Sequence, residues 1–115
     1  MKVSSQDKGD VAWLFLEGKY DGEGVSTARP LLTAFAEEKR GVVVDLSAVT
    51  FLTSIAIRDL VAAARTLTRR GGRLVLHKPT PPIEEVLTVA AVNSLIPIVR
   101  DRGEADAVIA AALSE

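Results

Sequence analysis

Apolar residues enter this chain in two styles. In the first they crowd into short runs: Val11 to Glu17 (VAWLFLE), Val42 to Leu46 (VVVDL), Leu74 to Leu76 and Ile96 to Val99. Dense runs bounded by turn residues read as buried strands. Val3 to Gln6 is a further strand, pairing with Val11 to Glu17 through the turn Asp7-Lys8-Gly9-Asp10. In the second style apolar residues return every three or four positions, the period of a helix with one buried face. Val25, Ala28, Leu31, Leu32, Phe35 and Ala36 do so until Gly41 ends the segment. Ile57, Leu60, Val61, Ala64 and Leu67 form a stripe expected to face the sheet, with Arg58, Arg65 and Arg69 off it and Gly71-Gly72 as the stop. Pro79 and Pro81-Pro82 open a helix carrying Ile83, Val86, Leu87 and Ala90, Pro82 suiting a first helical position. Ala105, Val108, Ile109, Ala112 and Leu113 stripe a terminal helix. Two segments lack either period. Gly18 to Gly24 (GKYDGEG) reads as a loop, and Ser47 to Leu52 as a connection to a helix that starts at Thr53-Ser54.

Strands thus alternate with helices over short connections, in the order β(β)αβαβαβα. That order predicts an α/β fold: a mixed, mainly parallel sheet of four to five strands packed with about four helices. The first strands are expected to leave part of one sheet face thinly covered. At 115 residues, positions 1–115 form one domain with room for a hydrophobic core. The aromatics are few (Trp13, Phe15, Tyr20, Phe35 and Phe51), so aliphatic side chains must fill that core.

Charge and composition narrow the chemistry. A net charge of −1 gives no pull towards nucleic acid or an anionic membrane. Cysteine is absent, which excludes disulfides and thiolate chemistry and agrees with a cytoplasmic location. The opening MKVSSQDKGD lacks an apolar signal region, and no apolar run approaches a membrane span, so no direct insertion is expected. His77, the single histidine, has no metal-ligand spacing around it and reads as the end of a strand. No phosphate-cradling glycine loop and no nucleophile elbow occur. Glu37-Glu38 and Glu84-Glu85 read as solvated helix faces.

The position that stands out is Ser54. A helix start leaves backbone N–H groups unpaired and carries the positive end of the helix dipole, where a phosphate is tolerated. The plain alternative is a capping hydroxyl, a role Thr53 could fill equally. Ile55, Asp59, Ala62 and Thr66 fall on the face roughly opposite the apolar stripe, so Ile55 would be an apolar docking point beside Ser54. Asp21 reads as a turn aspartate, and Asp45 as a strand-end group that caps or braces the following connection.

The stretch Asp45-Leu46-Ser47-Ala48-Val49-Thr50-Phe51-Leu52-Thr53-Ser54 resembles the signature of STAS domains, the fold named for sulfate transporters and anti-sigma factor antagonists. Gly18-Lys19-Tyr20-Asp21 looks like that family's Gly-Glu-Leu-Asp segment, and Gly71-Gly72-Arg73-Leu74-Val75-Leu76 like its Gly-Gly turn and following core strand. In the antagonists an aspartate precedes the phosphorylated serine. Here Thr53 takes the aspartate's place, and Ser54 stands at the serine. Ser54-Ile55-Ala56-Ile57-Arg58 is closer to the scaffold proteins of the stressosome, a bacterial stress-signalling assembly. Those scaffolds often carry a second threonine at the place of His77. The resemblance implies a protein-interaction switch that is not an enzyme. Ser54, or less readily Thr53, would be phosphorylated, and Asp21, Ser54, Ile55 and Asp59 would meet the partner. That partner would be an anti-sigma factor or related serine/threonine kinase, with other STAS proteins or self-association also open. The protein itself would hold no metal or cofactor. Two alternatives remain at this stage. One is a STAS scaffold or transporter-accessory subunit without phosphorylation, and the other a small-molecule-binding domain or enzyme with a pocket at the strand ends.

Overall fold

The computed structural model describes residues 1–114. Strands β1 (Lys2–Lys8) and β2 (Val11–Tyr20) form an antiparallel hairpin. Helix α1 (Gly22–Glu38), strand β3 (Gly41–Leu52), helix α2 (Ser54–Arg69) and strand β4 (Arg73–His77) follow. Helix α3 (Pro81–Val89) leads through a single 3₁₀ turn (Val92–Ser94) to β5 (Ile98–Val99) and helix α4 (Arg102–Leu113). The strands lie in the order β1-β2-β3-β4-β5, all parallel beyond the first pair. The expected mixed, mainly parallel sheet with four helices is thus the observed one.

Alternation along the strands divides the core in two. Leu14, Leu16, Val42, Val44, Leu74 and Leu76 pack with α1, α2 and α3 in one apolar cluster. Trp13, Val43, Val75 and Val99 point the other way, to Ala105 and Ile109 of α4. Every member of both sets is buried.

Three sequence expectations change. Gly18 to Gly24 is not a loop: β2 runs on to Tyr20 and α1 begins at Gly22, so Asp21 alone joins them. Ser47 to Leu52 is not a connection but the second half of β3. In both places the ladder slips register, between Phe15 and Glu17 and again between Gly18 and Lys19. A bulge shifts the phase of the alternation, so a continuous strand loses its period of two. Finally, the buried stripe of α2 is Ala56, Leu60, Ala63, Ala64 and Leu67. Ile57 and Val61 are only half-buried, because α2 is turned towards α1 and lays its small alanines there.

Two contacts lock the helix ends. Arg70 Nη1 donates to the carbonyls of Ala36 and Lys39 at 2.7 and 2.8 Å, satisfying the C-terminus of α1 from the end of α2. Gly72 has no room for a side chain, since a Cβ there would lie 2.3 Å from the Arg40 carbonyl.

Candidate functional site

Tyr20 and Leu52 are paired residues at the ends of β2 and β3, so the residues after them, Asp21 and Thr53, emerge side by side. Each caps a helix. Asp21 Oδ1 accepts from the backbone N–H of Gly24 at 2.9 Å, and this bond holds the carboxyl below the usual carboxylate range. A side chain at Gly24 would place its Cβ 2.5 Å from the Lys19 carbonyl, so the tight entry into α1 requires glycine. Thr53 Oγ1 accepts from Ala56 N at 3.4 Å and donates to the Tyr20 carbonyl at 3.1 Å. The Thr53 amide donates to the same carbonyl at 3.2 Å. The threonine thereby fastens the start of α2 to the end of β2.

Because Thr53 takes the cap, Ser54 is left as the first residue of α2. It is exposed, and its hydroxyl has no hydrogen-bond partner among the described residues. Ile55 beside it is 45% exposed and Phe51, just upstream on β3, 52% exposed. Asp21, Thr53, Ser54 and Ile55 therefore gather at one edge. Asp59, one turn beyond Ile55 on α2, is engaged by another element. Its carboxylate takes two bonds from Arg29 of α1, at 2.8 and 2.9 Å, and lies on the flank turned to α1. Arg29 is largely exposed, so the pair contributes little to stability. Between α1 and α2 it borders a depression of about 210 Å³.

The other flank of α2 is apolar. Ser54, Ile57, Pro82, Val86 and Val89 line an open depression of about 440 Å³ between α2 and α3, with Glu85 on its wall. It widens to solvent and does not enclose a volume as a small-molecule site does. Sequence reasoning missed it, because Val86 and Ala90 read as buried positions. They are exposed.

A second polar cluster lies under α4. Asp45 and His77 are parallel-strand partners, and His77 Nδ1 contacts Asp45 Oδ2 at 2.7 Å with both residues buried. Asp45 Oδ1 also accepts from the Ser47 amide at 3.0 Å and the Ser47 hydroxyl at 2.6 Å; Asp45 is not the strand end expected from the sequence but lies inside β3, where it braces the register shift. The Ser47 hydroxyl and the His77 ring thus meet the same carboxylate, one on each oxygen. His77 Nε2 and Trp13 Nε1 are buried without partners, and the two rings meet edge-on at 5.0 Å. Among the described residues no cluster of three or more His, Asp and Glu could hold a metal. No helix of the described chain is long and apolar enough to cross a membrane.

Known proteins place this geometry. An anti-sigma factor antagonist from Mycobacterium paratuberculosis matches with a TM-score of 0.84 at 20% identity, over 95% of this chain and 93% of its own. The phosphorylated form of the Bacillus cell fate determinant SpoIIAA gives a TM-score of 0.71 at 16% identity, covering 93% and 96% of the two chains. A variant of Moorella thermoacetica RsbS gives 0.77 at 17% identity over 100% of both chains. At these identities the likeness speaks for the fold. No curated protein matches the sequence. The model of the STAS domain family matches residues 2–105, nearly the whole chain, and the protein belongs to the STAS domain family.

Proposed function

We propose that this STAS domain works as an anti-sigma factor antagonist-like switch, binding an anti-sigma factor or related serine/threonine kinase and releasing it when Ser54 is phosphorylated. The observation that carries this reading is the division of labour at the start of α2. Thr53 performs the capping, and Ser54 is exposed with a free hydroxyl beside the apolar side chains of Phe51 and Ile55. A phosphate there adds about −1.5 to −2 charges to a surface that must shed water to dock. The same charge is tolerated within the domain, because it meets the positive end of the helix dipole. The modification would therefore act on the complex and leave the fold standing.

The test is incubation with a serine/threonine kinase of the anti-sigma factor type from the same organism and ATP, followed by mass mapping and partner titration. Phosphate is expected on Ser54, Ser54→Ala should abolish it, and Ser54→Asp should weaken the partner complex without unfolding. Modification confined to other residues rejects the assignment. No modification by a kinase active on another substrate favours a STAS scaffold that does not switch.

A further inference from the structure

We propose that the groove between α2 and α3 receives an amphipathic helix of a partner protein whose flanking residues are acidic. This deepens the switch reading, on which it rests for the role of Ser54 alone.

The groove has a helical geometry of its own. Ser54, Ile57, Val61, Ala64 and Thr68 succeed one another at steps of three and four along α2, forming one straight row. Further along the same row lies a second depression, of about 290 Å³, lined by Val61, Ala64, Thr68 and Leu95. Facing the row stand Val86, Val89 and Leu95, the last two 83% and 58% exposed. The row spans fifteen residues, so about 21 Å of helix at 1.5 Å per residue. A partner helix of three to four turns fits that length, laying down apolar residues at i, i+3 or i+4, and i+7. The walls are α2, α3 and the turn that carries Leu95, so the groove offers no sheet edge for strand addition.

Charge selects the partner's chemistry. Arg58, Arg65 and Arg69 are exposed, and Arg65 and Arg69 line the second depression, with Arg58 one heptad before Arg65 on the same helix. None of them pairs with a carboxylate among the described residues, whereas Arg29 and Arg100 do. Three unneutralised guanidinium groups beside an apolar trough favour carboxylates flanking the partner's apolar face. Arg58 and Arg65 are a heptad apart, which asks for acidic residues at the same interval. Glu85 on the opposite wall excludes a further acid at the Ser54 end. The geometry also joins the groove to the switch. Arg58 lies four residues after Ser54, within reach of a phosphate there. Modification would then remove one arginine from the rail and set negative charge against the partner's acids.

The probe is a set of fluorescein-labelled amphipathic peptides of about four turns, differing in their apolar residues, each made with Glu or with Lys at the flanking positions. Anisotropy on the unmodified protein reads the affinity. Glu peptides should bind about tenfold or more tighter than their Lys counterparts and weaken with added salt. Arg65→Glu/Arg69→Glu and Val89→Glu, each checked for folding by circular dichroism, should lose about tenfold or more, and Arg40→Glu on another surface should not. Amide shifts should map to α2 and α3. Equal affinity for Glu and Lys peptides, failure of the whole Glu set to bind, or self-association that covers Val89 would each overturn the proposal. The two readings separate cleanly. A protein that takes the Glu peptide equally well as Ser54→Asp keeps the groove and loses its coupling to Ser54. One that is phosphorylated at Ser54 yet ignores every peptide keeps the phosphosite and loses the groove.

Discussion

The two faces of the sheet solve the same burial problem differently. On one, three helices cover rows of Leu and Val with Val25, Leu32, Leu60, Leu67, Ile83 and Leu87. On the other, one helix covers a smaller patch centred on Trp13, and the Asp45–His77 pair lies within it. Redundant apolar cover on the first face leaves α2 and α3 free to keep exposed residues such as Ile55, Val86 and Val89. The second face is thinner and carries a polar lock between β3 and β4. The first face is held by apolar packing alone, and the second by a smaller apolar cluster with one buried polar pair beside it. The external surface proposed here to meet partners belongs to the face with the redundant apolar cover.

The comparison can be broken most directly at Leu60, which is fully buried among the three helices. Leu60→Ala should destabilise by about 2–5 kcal/mol, read by chemical denaturation, and a loss under about 1 kcal/mol would deny the dense face its weight. A smaller effect is expected at the lock. His77→Ala leaves one oxygen of buried Asp45 unpaired, at a cost of about 1–3 kcal/mol. Asp45→Ala/His77→Ala should cost clearly less than the sum of its parts, because the orphaned group is gone. Strict additivity would mean that the pair does not act as a unit. The smallest effects lie at the switch edge. Thr53→Ala should lose about 1 kcal/mol as a cap, while Ser54→Ala stays within about 0.5 kcal/mol. Reversal of that order would return the cap to Ser54 and remove the basis for a free hydroxyl.

Much of the fold was legible because its signals are local. The helical period of Val25 to Ala36, the stop at Gly71-Gly72 and the proline start at Pro81-Pro82 need only neighbouring residues. The extended β3 was not legible, since the register slips near Glu17 and Ala48 destroy the alternation that a strand is read from. The site was legible in part. Thr53 and Ser54 stand at a helix start, which capping chemistry marks in sequence, whereas Asp21 read as a turn residue and is the cap of α1. The pairing of Asp59 with Arg29, thirty residues away, left no local trace. The Asp45–His77 contact did leave one. Val42-Val43-Val44-Asp45 and Leu74-Val75-Leu76-His77 are two apolar runs ending in a polar residue at the same step, and parallel registration brings those ends together.

Trp13 is the only tryptophan of the chain, and its position makes it a selective observer. It is 1% exposed, lies edge-on to His77 and carries the Arg102 guanidinium of α4 4.7 Å over its ring. Its emission therefore reports the seating of α4 and says little about α1, α2 and α3. Far-ultraviolet ellipticity follows all four helices at once. If α4 lifts before the rest, the emission change in a denaturant titration will precede the loss of ellipticity, and a two-state fit will be inadmissible. Coincident curves would instead mean that the thin face and the thick one come apart together.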